Sequence, residues 1–287
     1  MYAPSCGQCD GYFYLISNCP SNIAYINLSF HNLVDSLGQG YYLDDLCPDR
    51  WYYISIKVSA DFCQDYFIQD SFYVSHAAYC STVYPGDANN DGVANNLDLL
   101  AIGIAYADTG AARIDTTITW DAKYGKDWQN VFADSTNHKH ADSNGNGIVN
   151  YDDTLAIIQN YGFTHQRPGL SNLLYPGAPV LFIDLPDSLS PLTTYTAPVY
   201  LGDSTISANN IYGISFSIVY PTPLIIPTSI QWITDSSWVG NTNSDLIAIQ
   251  HNNLSGLLDI GISRIDHTNR NGNGIIGTLQ FKAMIIF

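Results

Sequence analysis

The sequence predicts a mainly β protein that carries a small α-rich segment in its middle. All 26 acidic residues are Asp and none is Glu, and Asp favours turns and caps whereas Glu favours helices. The 21 Tyr residues, together with many Ile, Val and Thr, favour strands. Short runs of strand-forming residues bounded by Gly, Pro, Asn and Asp occur near both ends of the chain, and they predict β-structure there.

Four such runs lie in the first 80 residues, at 12–16, 23–30, 51–58 and 71–74. In the second run, Ile26, Leu28 and Phe30 occupy every other position, so they would share one face of a strand. The turn-forming residues between the runs recur at intervals typical of a β-sandwich.

All six cysteines lie in this first segment: Cys6, Cys9, Cys19, Cys47, Cys63 and Cys80. An even, clustered set predicts three disulfides if the chain is extracellular, as the calcium-type loops described below favour, and six cysteines allow fifteen pairings. A zinc site is the alternative because two residues separate Cys6 from Cys9. No second pair with that spacing follows, so disulfides are the better interpretation.

Two twelve-residue loops, at 87–98 and 142–153, share one pattern of oxygen-bearing side chains at positions 1, 3, 5, 9 and 12, with Gly at position 6. A calcium ion needs six or more oxygens at about 2.3–2.6 Å, a sharp turn at position 6 and a carbonyl at position 7. The candidate ligands are Asp87, Asn89, Asp91, the Val93 carbonyl, Asn95 and Asp98, and then Asp142, Asn144, Asn146, the Ile148 carbonyl, Asn150 and Asp153. Asn- and Gly-rich surface turns are the alternative, but two matching copies favour two calcium ions.

Each loop leads into an apolar pattern with helical spacing. The aligned residues are Leu100, Ala101, Ile102 and Tyr106 in the first copy, and Leu155, Ala156, Ile157 and Tyr161 in the second. Each copy therefore predicts one amphipathic helix, and the simplest packing partner of each helix is the other copy. The segments before the loops, 84–86 and 137–140, are poor helix starts, so no entering helix is expected.

A calcium loop followed by a single helix, present twice, resembles the dockerin module. Dockerins also close the loop with Asp, as Asp98 and Asp153 do here. The resemblance implies a recognition face along the two helices and at loop positions 10 and 11. Those positions are Asn96, Leu97, Tyr151 and Asp152.

The spacer between the loops, residues 99–141, is longer than is usual in dockerins. Its extra part, roughly 109–139, carries Trp120, Trp128 and Phe132, which predict a packed excursion rather than a free linker. This long-spacer form resembles modules of secreted multidomain proteins in Bacteroidetes-type bacteria.

The last segment, from about residue 175, is again rich in predicted strands. In its longest one, apolar residues at every second position would share the inward face: Tyr212, Ile214, Phe216, Ile218 and Tyr220. The order of segments 212–216, 237–240, 259–264 and 277–282 is similar to that of cohesin modules, which are jelly-roll sandwiches and the binding partners of dockerins. Residues 269–274 predict a hairpin loop, with a calcium turn as the alternative.

Segment 45–63 resembles the short Ig-like repeats of gliding-adhesin type, although Asp49 and Phe62 replace two of their glycines. The resemblances together imply three domains. They are a disulfide-rich Ig-like sandwich at 1–80, a dockerin-like domain at 81–168 and a cohesin-like sandwich at 169–287.

Charge and motif content exclude several functions. A net charge of −16 with ten Lys and Arg argues against nucleic acid, which requires neutralisation of phosphates. No apolar run reaches the length of a membrane span. His138 and His140 are a possible metal pair, but a structural role is the better interpretation because no third ligand lies nearby. The motifs of common hydrolases and nucleotide enzymes are missing, so an enzyme is not expected.

The expected function is that of an extracellular, calcium-stabilised structural protein that polymerises. If the dockerin-like face of one copy binds the cohesin-like sandwich of the next, the contact is heterologous and produces an open filament. The apolar closing segment 281–287 offers strand exchange as another joint.

A monomeric adhesin or scaffold segment is the alternative, because the dockerin–cohesin contact would then form within one chain. Such a segment would bind another cohesin- or dockerin-type protein, or a glycan through exposed Trp232 and Trp238. An ancillary region of a cell-wall enzyme is a further possibility.

Overall fold

The structure is a computed structural model that describes residues 11–16, 23–28, 31–33, 40–46, 50–60, 63–75, 80–165, 179–235, 237–242 and 244–284. Side chains before residue 80 are described only at 51–53 and 69–75. The chain is mainly β, with 38% strand, 11% helix and antiparallel sheets, which confirms the predicted class. It divides into two compact units, residues 1–81 with 124–126 and residues 82–123 with 127–287.

The first unit is built from antiparallel strands. These are β1 (Gly11–Ile16), β2 (Ile23–Leu28), β3 (His31–Leu33), β4 (Gly40–Leu46), β5 (Arg50–Ala60) and β6 (Cys63–Val74). β1 pairs with β4, and the others form a sheet in the order β3-β2-β5-β6. Each of the four predicted runs overlaps a strand, and the described core contains Tyr52 stacked on Phe72, beside fully buried Val74.

The strand β7 (Cys80–Val83) pairs with β8 (Lys123–Lys126). Cys80 is disulfide-bonded. The other five cysteines lie outside the residues whose side chains are described, so the pairings stay a prediction.

Residues 179–284 fold into two main antiparallel sheets. Their strands are β9 (Leu181–Ile183), β10 (Thr194–Leu201), β11 (Ala208–Ile211), β12 (Gly213–Val219), β13 (Gln231–Ile233), β14 (Leu246–Asn252), β15 (Leu257–Arg264), β16 (Arg270–Gly272) and β17 (Gly274–Lys282). One sheet has the order β13-β17-β10-β9 and the other β12-β15-β14, while β11 pairs with β16. β17 is paired on both sides, so its backbone is used within its own sheet.

The two sheets enclose one apolar core. It contains the alternate residues of β10, β15 and β17, which face each other between the sheets. Four of the five residues predicted to face inward in the longest strand pack there: Ile214, Phe216, Ile218 and Tyr220. The prediction was wrong for Tyr212, whose hydroxyl instead donates to the Gly103 carbonyl at 2.9 Å.

The tryptophans of this segment do not form an exposed platform. Trp232 is 7% exposed and makes an edge contact with Phe216 in the core. Trp238 is half-buried against the same core and lies over Gly274. The expectation of an exposed glycan-binding pair was therefore wrong, because Trp232 is buried in the core and Trp238 is partly buried against it.

The middle segment contains two short helices, α1 (Asp98–Ile104) and α2 (Thr154–Gln159). Each begins at or directly after its loop, as predicted. Directly before the second loop, the helical structure described is limited to the 3-10 turn His138–His140. The predicted packed excursion is confirmed at Trp128, which is 8% exposed and donates from Nε1 to the Ala111 carbonyl at 3.1 Å.

The core of the middle segment is shared with the β-sheets. It includes Leu99 and Ile102 of α1 and Ile157 of α2, and also Ile247 and Ile249 of β14. The helices therefore pack on each other, as expected, and also on the sheet β12-β15-β14.

Small residues let α1 approach this sheet closely. A Cβ at Gly103 would lie 2.0 Å from Ser263 Oγ, and one at Gly213 would lie 2.7 Å from Leu100 Cδ2. The Asn96 amide donates to the Phe216 carbonyl at 3.2 Å and to the Ile260 carbonyl at 3.1 Å. Because β15 carries core residues on its other face, this central strand is covered on both sides.

Replacing Gly103→Val should destabilise this contact, because the added methyl groups cannot fit beside Ser263. Overpacking of this kind costs about 1–3 kcal/mol, measurable as a lower free energy of unfolding in denaturant. The matched control is Ile158→Val, at the equivalent, exposed position of the second helix, which should change stability by less than about 0.5 kcal/mol. Equal losses in the two variants would contradict the close packing of α1.

Candidate calcium sites

The first loop is closed by hydrogen bonds to its two end carboxylates. Asp87 Oδ2 accepts from the Gly92 amide at 3.1 Å. The Asp98 carboxylate accepts from the Asn89 amide at 3.0 Å and from the Asn95 amide at 2.8 Å. Position 12 thereby ties together positions 3 and 9 of the same loop.

The side chains between these ends make a repeated set of hydrogen bonds to the backbone. Asn89 Oδ1 accepts from the Asp91 amide at 2.9 Å, Asp91 Oδ1 from the Val93 amide at 3.0 Å, and Asn95 Oδ1 from the Leu97 amide at 2.7 Å. Each side chain bonds the amide two residues ahead, which is an Asx turn. The turns fix the orientation of the side chains at positions 3, 5 and 9 of the loop.

The second loop repeats the same bonds at the same positions. The Asp142 carboxylate accepts from the Gly147 amide at 3.0 Å. The Asp153 carboxylate accepts from the Asn144 amide at 2.9 Å and from the Asn150 amide at 2.8 Å. The Asx turns of Asn144, Asn146 and Asn150 recur as well. Hydrogen bonds therefore link the side chains of positions 1, 3, 5, 9 and 12 to the backbone of their own loop in both copies, whereas the position-7 carbonyls of Val93 and Ile148 stay a prediction.

The two copies also exchange backbone hydrogen bonds at position 8. The Ala94 amide donates to the Phe163 carbonyl at 3.0 Å, and the Val149 amide donates to the Asp108 carbonyl at 3.0 Å. Phe163 follows the second helix and Asp108 follows the first, so each loop pairs with the tail of the other copy. Ala94 makes this pairing as Val149 does, and the loops are held as a reciprocal pair.

Burial makes the negative charge of these carboxylates costly. Asp98 and Asp153 are fully buried, and Asp87 and Asp142 are each 1% exposed. Burial raises the pKa of Asp98 well above its usual value and that of Asp153 to about 7, and it also raises the pKa of Asp87 and Asp142. A cation would supply the compensating charge.

One oxygen in the second loop supports this interpretation directly. Asp142 Oδ1 is buried and has no hydrogen-bond partner, whereas buried carboxylate oxygens normally have one. It lies at position 1, where a calcium ligand is expected. The donor set of carboxylates, Asn side chains and a carbonyl consists of the hard oxygens that calcium prefers.

Two basic groups beside the loops were not found from the sequence. His165 Nε2 lies 2.6 Å from Asp87 Oδ2, and its ring stacks on Tyr84 at 4.0 Å. The buried Arg113 donates to the carbonyls of Asp142 at 2.6 Å and Ser143 at 2.8 Å. Both are distant in sequence from the loop residues that they contact, so no local pattern signals them.

The histidine pair considered as a metal site is placed differently. His138 Nδ1 lies 2.5 Å from Asp108 Oδ2, and its ring packs on Phe132. In the part of the chain that the structure describes, no group of three or more His, Cys, Asp or Glu is arranged to hold a metal ion. The two loops would draw much of their donor set from Asn side chains and backbone carbonyls.

No protein-family model, curated protein or solved structure matches the chain. Among the described residues, none of the helices has both the length and the apolar character needed to cross a membrane. The loop geometry is thus the main basis for a functional conclusion.

Calorimetric titration of the parent chain should find two calcium sites. Asp87→Ala and Asp142→Ala should each leave one, because each removes the position-1 carboxylate of a single loop. Asp134→Ala, in the exposed excursion between the loops, is the control and should leave both sites. Two sites surviving in either loop variant would refute the assignment of that ligand.

Without calcium, the free energy of unfolding should fall as the pH rises from about 4 to about 7. Burial raises the pKa of Asp153 to about 7, so in this window the native chain keeps a proton that the unfolded chain has lost, and the slope is negative. Denaturation in EDTA at several pH values measures it. Asp153→Asn should reduce the slope, and saturating calcium should remove most of the fall. A stability that rises over this window in EDTA would contradict the raised pKa of the buried Asp153.

Proposed function

We propose that the chain is an extracellular structural protein stabilised by two calcium ions. Its dockerin-like segment packs on a cohesin-like sandwich and stabilises it. The observation that carries the proposal is the position of Asp98. This residue closes the first loop and also begins α1. Gly103, later in the same helix, is pressed against Ser263 of the sheet. Order in the loop is thereby coupled to the packing of the sandwich.

Electrostatics support a stabilising role of calcium in this dockerin-like segment. The four end carboxylates of the loops are nearly or fully buried, and the whole chain carries a net charge of −16. Calcium bound by the loops would neutralise part of that charge where desolvation makes it most unfavourable. No catalytic step is needed for this function.

Self-assembly through copies of the chain is part of the proposal. Part of the joint first considered, the dockerin-like face of the first copy, is engaged within the chain: Asn96 is bonded to the sheet. The closing strand β17 is likewise paired on both sides. Residues 285–287 of the predicted strand-exchange segment lie outside the described residues, so that part of the joint stays a prediction. Large apolar side chains exposed on α2 and on the sandwich are further surfaces available for a joint between copies.

A monomeric scaffold or adhesin segment is the second candidate. The in-chain packing of α1 on the sheet β12-β15-β14 favours it, because the contact expected between chains forms within one chain. In this case the exposed apolar surfaces would bind another protein.

Electron microscopy and sedimentation with calcium and with EDTA separate the two candidates. The structural-filament proposal expects long particles in calcium that shorten or dissociate in EDTA and return when calcium is restored. An ion that binds only the ordered loops stabilises every contact that depends on their order. Magnesium at equal ionic strength is the control. Particles of 31.6 kDa under all conditions would refute the filament and favour the monomeric segment.

A further inference from the structure

The segment that follows α1 runs along the second loop and is bonded to it. The Gly110 amide donates to the Gly147 carbonyl at 3.0 Å, and the Arg113 amide donates to the Gly145 carbonyl at 2.9 Å. The indole of Trp128 packs against this segment, since a Cβ at Gly110 would lie 2.2 Å from its ring. The segment is thereby held between the second loop and the core of the middle segment, to which Trp128 belongs.

The side chain of Arg113 fixes the beginning of the same loop. Its guanidinium group donates from Nη1 to the Asp142 carbonyl at 2.6 Å and from Nη2 to the Ser143 carbonyl at 2.8 Å. Arg113 is 7% exposed, and a Cβ at Gly145 would lie 2.7 Å from the guanidinium carbon. The backbone of the second loop is therefore closely packed around a rigid group that is always positively charged.

The two loops differ in the charge of their candidate ligands. The first loop has three carboxylates among them, whereas the second has two, because Asn146 stands at position 5 where the first loop has Asp91. The charge of Arg113 offsets one of those two. The cation beside the first loop is His165, which contacts Asp87 and carries a full charge only when it is protonated. Without an ion, repulsion between carboxylates is therefore stronger in the first loop.

The carboxylates at position 1 differ in the same sense. Asp87 accepts from the Asp91 amide through Oδ1 at 2.9 Å and from the Gly92 amide through Oδ2 at 3.1 Å, and His165 lies 2.6 Å from that Oδ2. Asp142 accepts from an amide through Oδ2, while its Oδ1 is buried and has no hydrogen-bond partner. The second loop thus has its backbone held by Arg113 and one ligand oxygen left for an ion.

We propose that Arg113 supplies part of the positive charge that a cation would bring, so that the second loop keeps its form with and without calcium. Calcium then controls the order of the first loop and of α1, which begins at Asp98. This inference rests on the proposed stabilisation by calcium and assigns most of it to one site. It also assigns it to the copy whose helix packs on the sandwich, since Leu155 and Ile158 of α2 are 50% and 52% exposed.

Hydrogen exchange of single amides in the full chain, measured by NMR in EDTA and in calcium, tests the assignment. The equivalent probes are the amides that bond the position-12 carboxylates, namely Asn89 and Asn95 in the first loop and Asn144 and Asn150 in the second. In EDTA, after correction for intrinsic rates, the second-loop amides should be protected at least about 10-fold more than the first-loop amides, since hydrogen bonds from a charged donor hold the second loop closed. In calcium both pairs should be protected and the difference should shrink.

Three variants identify the cause of the difference. Arg113→Gln should remove it in EDTA, because an amide does not replace the charge, and calcium should restore the protection of the second loop. Arg113→Lys keeps the charge but loses the paired donors, so it should retain part of the difference. Asp91→Asn gives the first loop the position-5 residue of the second, and it should raise first-loop protection in EDTA while weakening calcium binding. The control Arg270→Gln changes an arginine that is 48% exposed on β16, and it should exchange like the parent.

Equal protection of the two loops in the parent chain in EDTA would overturn this inference without any variant. Unchanged second-loop protection in Arg113→Gln would overturn it as well. Both results leave the proposed function standing when calcium raises the protection of the loop amides, whereas calcium without effect on any loop amide would refute the proposed stabilisation and this assignment together. If Arg113→Gln does not fold even in calcium, Asp91→Asn decides: a smaller difference between the loops supports the inference, and an unchanged difference overturns it.

Discussion

Four buried carboxylates impose the constraint on which the middle of this protein depends. Asp98 and Asp153 are fully buried, and each bonds two backbone amides of its own loop. These bonds favour the charged form, but burial outweighs them and raises the pKa of both groups. The loops are thus ordered around carboxylates whose charge is disfavoured by burial, even though His165 lies beside Asp87 and Arg113 beside Asp142. Oxygen ligands in such surroundings are suited to a hard divalent cation, and the helices begin where those ligands end.

A duplicated unit has acquired two different surfaces here. The loops keep the same hydrogen bonds and exchange backbone bonds at Ala94 and Val149, so the repeat is preserved where the loops are built. It diverges on the helix faces, where Gly103 lets α1 approach the sheet and Ile158 leaves a bulky apolar side chain exposed. Loop closure and helix packing depend on different positions of the same repeat, since helical spacing separates inward and outward faces.

Local pattern was sufficient for the class of fold, for most strands and for the geometry of both loops. Apolar residues at every second position correctly identified Phe216 and Ile218 as the inward face of β12. These side chains pack in the core between the two sheets. The same reasoning fails for β15. Gly261 and Ser263 alternate with Ile260 and Ile262 as if they faced water, yet α1 covers them. Contacts between residues far apart in the chain, such as that of Arg113 with the second loop, cannot be predicted from local spacing.

The shared core determines how far the influence of the loops extends. Ile247 and Ile249 belong to the edge strand β14 of the sandwich, but their side chains pack with Leu99 and Ile102 of α1. If α1 lost its order, these isoleucines would be exposed to water. Each Å² of apolar surface uncovered would lower the free energy of unfolding by about 25 cal/mol. A ligand present at 100 times its Kd stabilises the state that it binds by about 2.7 kcal/mol. This is a substantial fraction of the free energy of unfolding of a typical domain. Ion binding in the loops would therefore stabilise the sandwich through the apolar contacts of α1, although the sheets themselves would supply no ligand to the ion.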